Sequence, residues 1–231
     1  MDKVAAIIPS MNEEKAIQDV IREVPDSVCE TPVETFVIDG GSTDNTCDKV
    51  KETKGTLINQ SYDGGKGSAI REALDNIEAD VYVFLDGDKT YSPGEMEKLV
   101  KPIIESDYDH VTGSRLSKRD EEAFMYRNLA GNLFYSWFFR LLTASDVNDF
   151  LTGYRAISKS LADNLDLESE GFEIETELTF KTLNLGYEIK EVDITYKSRV
   201  GESELQFLTD GPKILYYGAK LSLAEQLFIP R

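Results

Sequence analysis

Short apolar runs alternate with segments of helical periodicity along the first half of the chain. Each apolar run is three to five residues long and is closed by polar residues or glycine, which is typical of buried strands. The predicted strands are 4–8, 35–38, 56–58, 81–85 and the region near 110–112. The segments between them carry apolar residues at helical spacing and predict helices at 17–24, from 42–44 to 50, at 66–77 and at 93–104.

The helix starts have recognisable sequence signals. Residues 10–14 (Ser-Met-Asn-Glu-Glu) precede the first helix, and residues 42–44 (Ser-Thr-Asp) precede the second. Ser, Thr, Asp and Asn accept hydrogen bonds from the free backbone N–H groups of a first helical turn. Both segments are therefore expected to cap a helix.

The second half has fewer and longer elements. The pattern predicts a helix at 121–142, a strand near 153–157, a helix at 173–185, a strand at 187–196 and a helix at 212–228. No repeat, linker or low-complexity segment separates the two halves. We therefore expect one domain over 1–231, with about 1–115 and about 116–231 as its two subregions.

Alternating strands and helices predict the fold class and the place of the site. They predict an α/β protein with a mostly parallel central sheet flanked by helices. Ligands of such sheets bind at the carboxyl ends of the strands. Asp39 follows the second strand, and Asp86 and Asp88 follow the fourth, so these carboxylates are expected to converge there.

Composition excludes several classes of protein. The 231 residues carry 43 acidic and 25 basic side chains, a formal charge of −18, which disfavours nucleic acid as a partner. Two cysteines outside any Cys-x-x-Cys pair and one histidine cannot form an ordinary zinc site. The sequence shows no secretory signal and no apolar stretch of the ~18 residues that a membrane-spanning helix needs. We therefore expect a cytoplasmic location.

The pair Asp86 and Asp88 is the leading candidate for a metal site. Carboxylates two residues apart across a glycine turn can both bind one hard divalent cation, Mg²⁺ or Mn²⁺, together with a diphosphate. A solvated turn would explain an isolated Asp-x-Asp equally well. Its position directly after the buried run 81–85 favours the metal.

Three basic or aromatic features are further functional candidates. Lys66, between glycines at a helix start, could bring backbone amides to a phosphate. Arginines such as Arg115, Arg127 and Arg199 could bind phosphate oxygens at two points or form surface ion pairs. The segment 129–142 holds five aromatic residues and no acidic one, and it could be a buried core helix or a membrane-interface element.

At this point an ordered set of motifs resembles a family, the GT-A glycosyltransferases of family 2, and within it the dolichyl- or polyprenyl-phosphate hexose synthases. The set covers about nine tenths of the chain, and its order is more specific than any single motif. The motifs are 8–14 (Ile-Pro-Ser-Met-Asn-Glu-Glu), 37–44 (Val-Ile-Asp-Gly-Gly-Ser-Thr-Asp), 65–71 (Gly-Lys-Gly-Ser-Ala-Ile-Arg), 86–88 (Asp-Gly-Asp), 91–93 (Tyr-Ser-Pro), 113–115 (Gly-Ser-Arg), 149–155 (Asp-Phe-Leu-Thr-Gly-Tyr-Arg) and 171–173 (Gly-Phe-Glu).

The resemblance implies a GT-A fold and a set of site residues. The implied donor nucleotide site comprises Pro9, Met11, Glu13, Ile38, Asp39, Lys66, Asp86, Gly87 and Asp88. Asp86 and Asp88 would hold Mg²⁺ or Mn²⁺ with the diphosphate. Arg115 and Arg127 would bind an acceptor phosphate. Because 201–204 (Gly-Glu-Ser-Glu) lacks the lysine that relatives carry, Arg199 or Lys197 is expected to contribute. The implied catalytic residues are Asp88, Arg115 and Asp149.

The function implied is transfer of one hexose, with inversion, from UDP-hexose or GDP-hexose to a polyprenyl phosphate. The protein would then contact the cytoplasmic face of a membrane peripherally. One alternative is transfer to a sugar or another hydroxyl, for which Asp149 would be the general base. Another is an inactive nucleotide-sugar-binding or scaffold protein, since Gly40 stands where many relatives have Asp and Glu204 replaces the lysine. The sequence leaves the nucleotide, the hexose and the role of Asp149 open.

Overall fold

The structure, a computed structural model, describes residues 3–119, 126–143, 145–200 and 207–226. Eight strands alternate with helices along this part of the chain. The strands are β1 (Val4–Ser10), β2 (Ser27–Val28), β3 (Thr31–Asp39), β4 (Thr56–Asn59), β5 (Val81–Phe84), β6 (His110–Arg119), β7 (Arg155–Ser158) and β8 (Ile189–Tyr196). The helices are α1 (Ile17–Glu23), α2 (Thr46–Lys51), α3 (Lys66–Asn76), α4 (Met96–Glu105), α5 (Tyr126–Thr143), α6 (Lys159–Ala162), α7 (Ile174–Asn184) and α8 (Phe207–Gln226).

The strands form one eight-stranded sheet. Its order is β2-β3-β1-β5-β7-β6-β8, and β4 also pairs with β3. The neighbours β4, β3, β1 and β5 run parallel, as do β6 and β8, whereas β7 is antiparallel to both β5 and β6. The α/β class and the flanked central sheet are confirmed. The reversed direction of β7 is a feature that strand-helix alternation did not predict.

Strand β1 shows why its sequence is continuously apolar. Val4 and Ile8 belong to a core cluster that includes α1 and α4, and Ala5 and Ile7 belong to a second cluster that includes α3 and α7. Successive side chains of a strand point to opposite faces, so a strand covered on both faces needs apolar residues throughout. This central position holds the carboxyl end of β1 rigidly at the site.

The boundaries of several elements differ from the sequence prediction. Helix α1 starts after Ala16 with no side-chain cap, because Asn12 and Glu14 are bonded to the loop that follows β3 instead. Strand β6 runs on to Arg119, well past the predicted end. Helix α8 begins at Phe207 and contains Pro212, where we predicted its first residue. The segments 121–125 and 227–228, at the ends of two predicted helices, lie outside the described residues.

A third cluster of apolar residues joins α5, α7 and α8. Phe139 packs against Phe150 and Phe180, with ring centroids 5.5 and 5.4 Å away. Tyr135 and Ile214 are buried in the same cluster. One side of α5, the helix that contains the aromatic residues of 129–142, therefore belongs to the hydrophobic core.

Candidate functional site

A cleft opens at the carboxyl ends of β1, β3, β4 and β5. It contains about 580 Å³ of space, including its open mouth. The sequence-predicted residues that line it are Pro9, Met11, Glu13, Ile38, Lys66, Asp86, Asp88 and Arg199. Pro9, Met11, Ile38, Asp86 and Asp88 come from the strand ends, as expected, whereas Lys66 begins α3 and Arg199 follows β8.

Backbone bonds tie the strand ends together beneath the cleft. The N–H of Gly40 donates to the carbonyl of Ser10 over 2.9 Å, and the N–H of Gln60 donates to the carbonyl of Asp39 over 2.8 Å. The side chain of Asn12 accepts a bond from the N–H of Thr43. The loops that follow β1, β3 and β4 therefore form one wall.

Asp39 and Gly87 lie beside this wall and not on its surface. The Asp39 carboxylate is buried and accepts bonds from the N–H groups of Gly41 and Ser42 and from the Ser42 hydroxyl. A side chain at Gly87 would meet Ile17 and Ile8 at 3.3 and 3.5 Å. In this structure both residues shape the turns that carry the lining residues.

Lys66 connects two carboxylates at the inner end of the cleft. Its Nζ lies 2.5 Å from Asp86 Oδ1 and 2.6 Å from Glu175 Oε1. Burial alone would lower the pKa of Lys66, but the two carboxylates outweigh it and raise the pKa above its ordinary value. A Cβ at Gly153 would stand 2.8 Å from the Lys66 Nζ, so glycine is needed there to leave room for the ion pair.

The amides at the start of α3 are partly used within the protein. The N–H groups of Gly65 and Ser68 both donate to the carbonyl of Glu170. The charged end of Lys66 is therefore the part of this helix start that meets the acidic residues of the cleft.

Asp88 is nearly buried and sits between a turn and an arginine. Its Oδ1 accepts bonds from the N–H and hydroxyl of Thr90, and its Oδ2 lies 3.4 Å from Arg199 Nε. Burial, then the charge of Asp86, raises the pKa of the Asp88 carboxyl. Arg199 also donates to Glu13 Oε1 over 2.7 Å, so this residue of the second half of the chain bridges two acidic residues of the first half.

Arg115 and Asp149 form a buried two-point ion pair. The Arg115 Nε and Nη2 donate to the two oxygens of Asp149 over 2.7 and 2.6 Å, and the backbone N–H of Arg115 donates as well. The Asp149 side chain is fully buried. The Arg115 guanidinium also lies 5.5 Å from the ring centroid of Tyr196. Asp149 thus holds an arginine in place.

The remaining predicted arginines have different surroundings. Arg127 belongs by its backbone to the first turn of α5, and its side chain lies outside the described residues. Arg155, within the motif 149–155, is buried and donates to the carbonyls of Phe150, Thr152 and Glu175. Arg155 therefore stabilises the loop before β7 through buried hydrogen bonds to its carbonyl groups.

Sequence reasoning missed three residues of the site, Gln60, Phe172 and Glu175. Gln60 and Phe172 line the cleft, and Glu175 holds Lys66. Phe172 was quoted in the motif 171–173 without a role. For Gln60 the available signal was its position two residues after a predicted strand, similar to the signal that identified Asp39.

Helices α5 and α8 expose large apolar side chains. Phe134, Trp137 and Leu141 of α5 are 50, 61 and 70% exposed, and Tyr216 and Leu223 of α8 are 71 and 62% exposed. We refer to these five side chains as the two-helix surface. Helix α5 is thus buried on one side and exposed on the other, whereas the sequence alone left a buried core helix and a membrane-interface element as alternatives.

Among the described helices, none combines the length and the apolar character required to cross a bilayer.

A family model described as glycosyl transferase family 2 matches residues 5–165. This span includes β1 to β7 and all the cleft residues named above except Phe172, Glu175 and Arg199.

Several curated proteins are similar over nearly the whole chain. Glycosyltransferase AglJ of Haloferax volcanii is 36% identical over 225 residues, which is 95% of this chain and 73% of that protein. The dolichyl-phosphate hexose transferase of the same organism is 29% identical over 98% of this chain and 96% of its own length. The dolichol-phosphate mannosyltransferase of Pyrococcus furiosus is 27% identical over 88% of this chain and 59% of its own length.

Solved structures share the fold. Glucosyl-3-phosphoglycerate synthase from Mycobacterium tuberculosis, in complex with Mn²⁺, UDP-glucose and phosphoglyceric acid, superposes with a TM-score of 0.76 at 20% identity. The match covers 100% of this chain and 81% of that one.

Proposed function

The chain belongs to glycosyl transferase family 2, and from that premise we propose that it transfers a hexose from a nucleoside diphosphate sugar to a polyprenyl phosphate. The observation that carries this proposal is the cleft, which has an apolar slot at one end and paired acidic and basic groups at the other. Relatives named for dolichyl-phosphate hexose and dolichol-phosphate mannose transfer support the lipid acceptor.

The outer end of the cleft suits a nucleoside. Pro9, Met11 and Ile38 supply apolar surfaces, and the absence of a side chain at Gly40 leaves space between them. A flat base can be enclosed by such surfaces. The carboxylate of Glu13 accepts hydrogen bonds and suits ribose hydroxyls.

The inner end suits a diphosphate with a divalent cation. The cleft lining carries the acids Glu13, Asp86 and Asp88 against the bases Lys66 and Arg199. A diphosphate adds negative charge to this acidic site, so its binding requires further positive charge. Hard carboxylate oxygens on Asp86 and Asp88 fit Mg²⁺ or Mn²⁺.

The described residues contain no group of three or more His, Cys, Asp or Glu side chains that could hold a metal. Asp86 and Asp88 would therefore share the cation with the diphosphate and water, which is usual for Mg²⁺. When bound, the cation would neutralise the charge that develops on the leaving diphosphate. A structural neighbour that binds Mn²⁺ with UDP-glucose supports this assignment.

The reaction is a direct displacement at the anomeric carbon. An oxygen of the acceptor phosphate forms a bond to that carbon while its bond to the donor diphosphate breaks, which inverts the centre and releases the nucleoside diphosphate. A phosphate monoester has a second pKa of about 6 and is mostly dianionic at neutral pH, so it attacks without a strong base. Positioning and charge neutralisation then provide the catalysis.

The pair formed by Arg115 and Asp149 favours the phosphate acceptor over a hydroxyl acceptor. A hydroxyl acceptor would require Asp149 as a base, yet both its oxygens face the guanidinium of Arg115. We assign Arg115, with Arg127 and Arg199, to charge neutralisation around the acceptor phosphate. Asp149 orients Arg115. On this proposal residues 1–231 act as one domain, with the donor bound mainly by about 1–115 and the acceptor by about 116–231.

On this proposal the protein meets its lipid acceptor at the cytoplasmic face of a membrane. The two-helix surface provides an apolar face for peripheral contact, and its tryptophan suits the headgroup level of a bilayer.

The test is transfer from radiolabelled UDP-glucose, GDP-mannose and related donors to a defined polyprenyl phosphate in detergent, with Mg²⁺ or Mn²⁺. We expect metal-dependent label in the lipid fraction and none with Asp88→Asn. The matched control is Asp48→Asn, an exposed aspartate of α2. Transfer to water-soluble sugar acceptors alone would establish the hydroxyl-acceptor alternative. Donor binding without any transfer or hydrolysis would establish a binding protein.

A further inference from the structure

Gln60 follows β4 and lines the outer end of the cleft, and its amide has a defined orientation. One end of the amide lies 2.7 Å from the carbonyl of Tyr62 and 2.9 Å from the carbonyl of Gly64. Two carbonyl acceptors can only be satisfied by an NH₂ group, so this end is Nε2. The other end is therefore the oxygen.

The Oε1 atom of Gln60 is placed where a base would bind. A Cβ built on Gly40 would lie 3.5 Å from this oxygen and 3.7 Å from the Met11 sulfur, so Oε1 stands at the glycine gap beside Met11. Among the described residues no donor lies within hydrogen-bond distance of Gln60 Oε1. The loop from 60 to 64 fixes an acceptor at the edge of the apolar slot and leaves it available.

We propose that Gln60 is a base-specificity residue that accepts a hydrogen bond from the ring N–H of the donor nucleotide. This inference rests on the proposed function, since it assumes a nucleoside in the slot. Uracil carries this N–H at N3 and guanine at N1. Cytosine and adenine carry a lone pair at the corresponding ring nitrogen, which would face the lone pairs of Oε1. The cleft therefore selects UDP or GDP and rejects CDP and ADP.

Two variants separate base recognition from support of the loop. Gln60→Lys keeps donors for the carbonyls of Tyr62 and Gly64 and removes the acceptor. Gln60→Glu keeps an acceptor and removes those donors. The matched control is Gln18→Lys, because the Gln18 amide also donates to a backbone carbonyl and a side chain but lies on α1 outside the cleft lining.

The experiment measures the dissociation constants of UDP, CDP, GDP and ADP by calorimetry with Mn²⁺ present, and thermal unfolding confirms that each variant is folded. For the unmodified protein we expect UDP to bind about tenfold or more tightly than CDP, or GDP than ADP, which corresponds to one hydrogen bond gained and one repulsion avoided. Gln60→Lys should abolish or reverse this ratio. Gln60→Glu should keep the ratio at lower overall affinity, and Gln18→Lys should change neither.

A ratio that is unchanged in Gln60→Lys would overturn the inference and leave the proposed function intact, because nucleotides would still bind. If the preference for UDP over CDP, or for GDP over ADP, were lost in Gln60→Glu but kept in Gln60→Lys, Gln60 would act only by supporting the loop. That result would also overturn the inference. Failure of all four nucleotides to bind the unmodified protein would overturn both the inference and the proposed function.

Discussion

Folding disfavours the charged form of the Asp88 carboxyl. Burial and the nearby Asp86 raise its pKa, so the ionised form lowers the stability of the ligand-free protein. The penalty is fully present above the raised pKa, declines as the pH falls below it, and is gone only below the ordinary aspartyl pKa, where the folded and unfolded states are both protonated. A bound cation would remove the same penalty by pairing with the charge.

We therefore predict that Asp88→Asn stabilises the ligand-free protein at neutral pH while it reduces Mn²⁺-dependent nucleotide affinity by about 100-fold or more. Asparagine can still accept the bonds from Thr90, so the turn is retained. Thermal unfolding at neutral pH and at a pH of about 3 measures the first effect, since a free aspartyl group is mostly protonated at the lower pH. An equal stabilisation at both pH values would contradict the assignment to charge. Asp48→Asn is the control.

The pair formed by Arg115 and Asp149 leads to a second prediction. Removing one partner leaves the other charge buried, so Asp149→Ala should lower the free energy of unfolding by about 3–5 kcal/mol. The double variant Arg115→Met, Asp149→Leu removes both charges and should recover much of that loss. Urea unfolding measures both. Unchanged stability in Asp149→Ala would show that the two-point pair does not form.

Residues of the site differ in how well sequence could predict them. Asp86 and Asp88 were predictable because they end a buried strand, and their place in the cleft is confirmed. Glu175 was not, because it lies inside the helical pattern of α7 and meets Lys66 only through the tertiary fold. Asp39 had the same signal as Asp86, yet its carboxylate is occupied by its own turn. Their roles in binding and catalysis stay predictions.

At the scale of elements, the start of α3 is fixed by its contact with the loop that precedes α7. A Cβ on Gly67 would overlap the carbonyl of Ser169 and approach Glu170, both of them backbone groups that cannot rotate away. This close approach lets the carbonyl of Glu170 accept the first amides of the helix, and it places Lys66 at the cleft.

Gly67→Ala should therefore destabilise the protein by about 1–3 kcal/mol and weaken nucleotide binding, because the overlap must push the helix start and the loop apart. Gly94→Ala is the matched control, since its Cβ would meet no atom within 4 Å and its φ is not positive. Calorimetric binding and thermal unfolding measure both variants. Equal behaviour of the two would argue against the close approach.

Helices and strands were predicted correctly where the hydrophobic periodicity was strong. The prediction failed where tertiary contacts determine whether an element forms or in which direction it runs. Strand β4 and helix α3 were predicted within a residue or two of their observed bounds. The two-residue strand β2 and the four-residue helix α6 are too short to show the spacing of apolar residues that identifies a strand or a helix. The direction of β7 depends on which neighbours it joins, and no local pattern encodes that.

At the scale of the whole molecule, an acidic body carries an apolar face. The formal charge of −18 repels an anionic leaflet, so contact with a bilayer must come from apolar burial at the two-helix surface. Salt screens charge and does not weaken apolar burial. The apolar residues 227–229 at the end of the chain lie outside the described residues, and Ile214 of α8 is buried in the core.

We predict weak, reversible association with lipid vesicles that persists at high salt and is reduced by the double variant Trp137→Ser, Leu141→Ser. Flotation of vesicles at low and high salt measures it. Leu185→Ser, an exposed leucine at the end of α7, is the control for general loss of apolar surface. Binding that disappears at high salt, or that the double variant leaves unchanged, would exclude the two-helix surface as the attachment site.

The contact between Arg199 and Glu13 has a consequence for synthesis of the chain. The two residues are 186 positions apart, and the backbone N–H groups of Lys197 and Val200 donate to the carbonyls of Thr90 and Asp88. A ribosome delivers the amino-terminal half first. Asp88 thus emerges long before the arginine that pairs with it, and the cleft is completed only after Arg199 has been translated. A nascent chain stalled before that point holds every acidic residue of the cleft lining without its arginine.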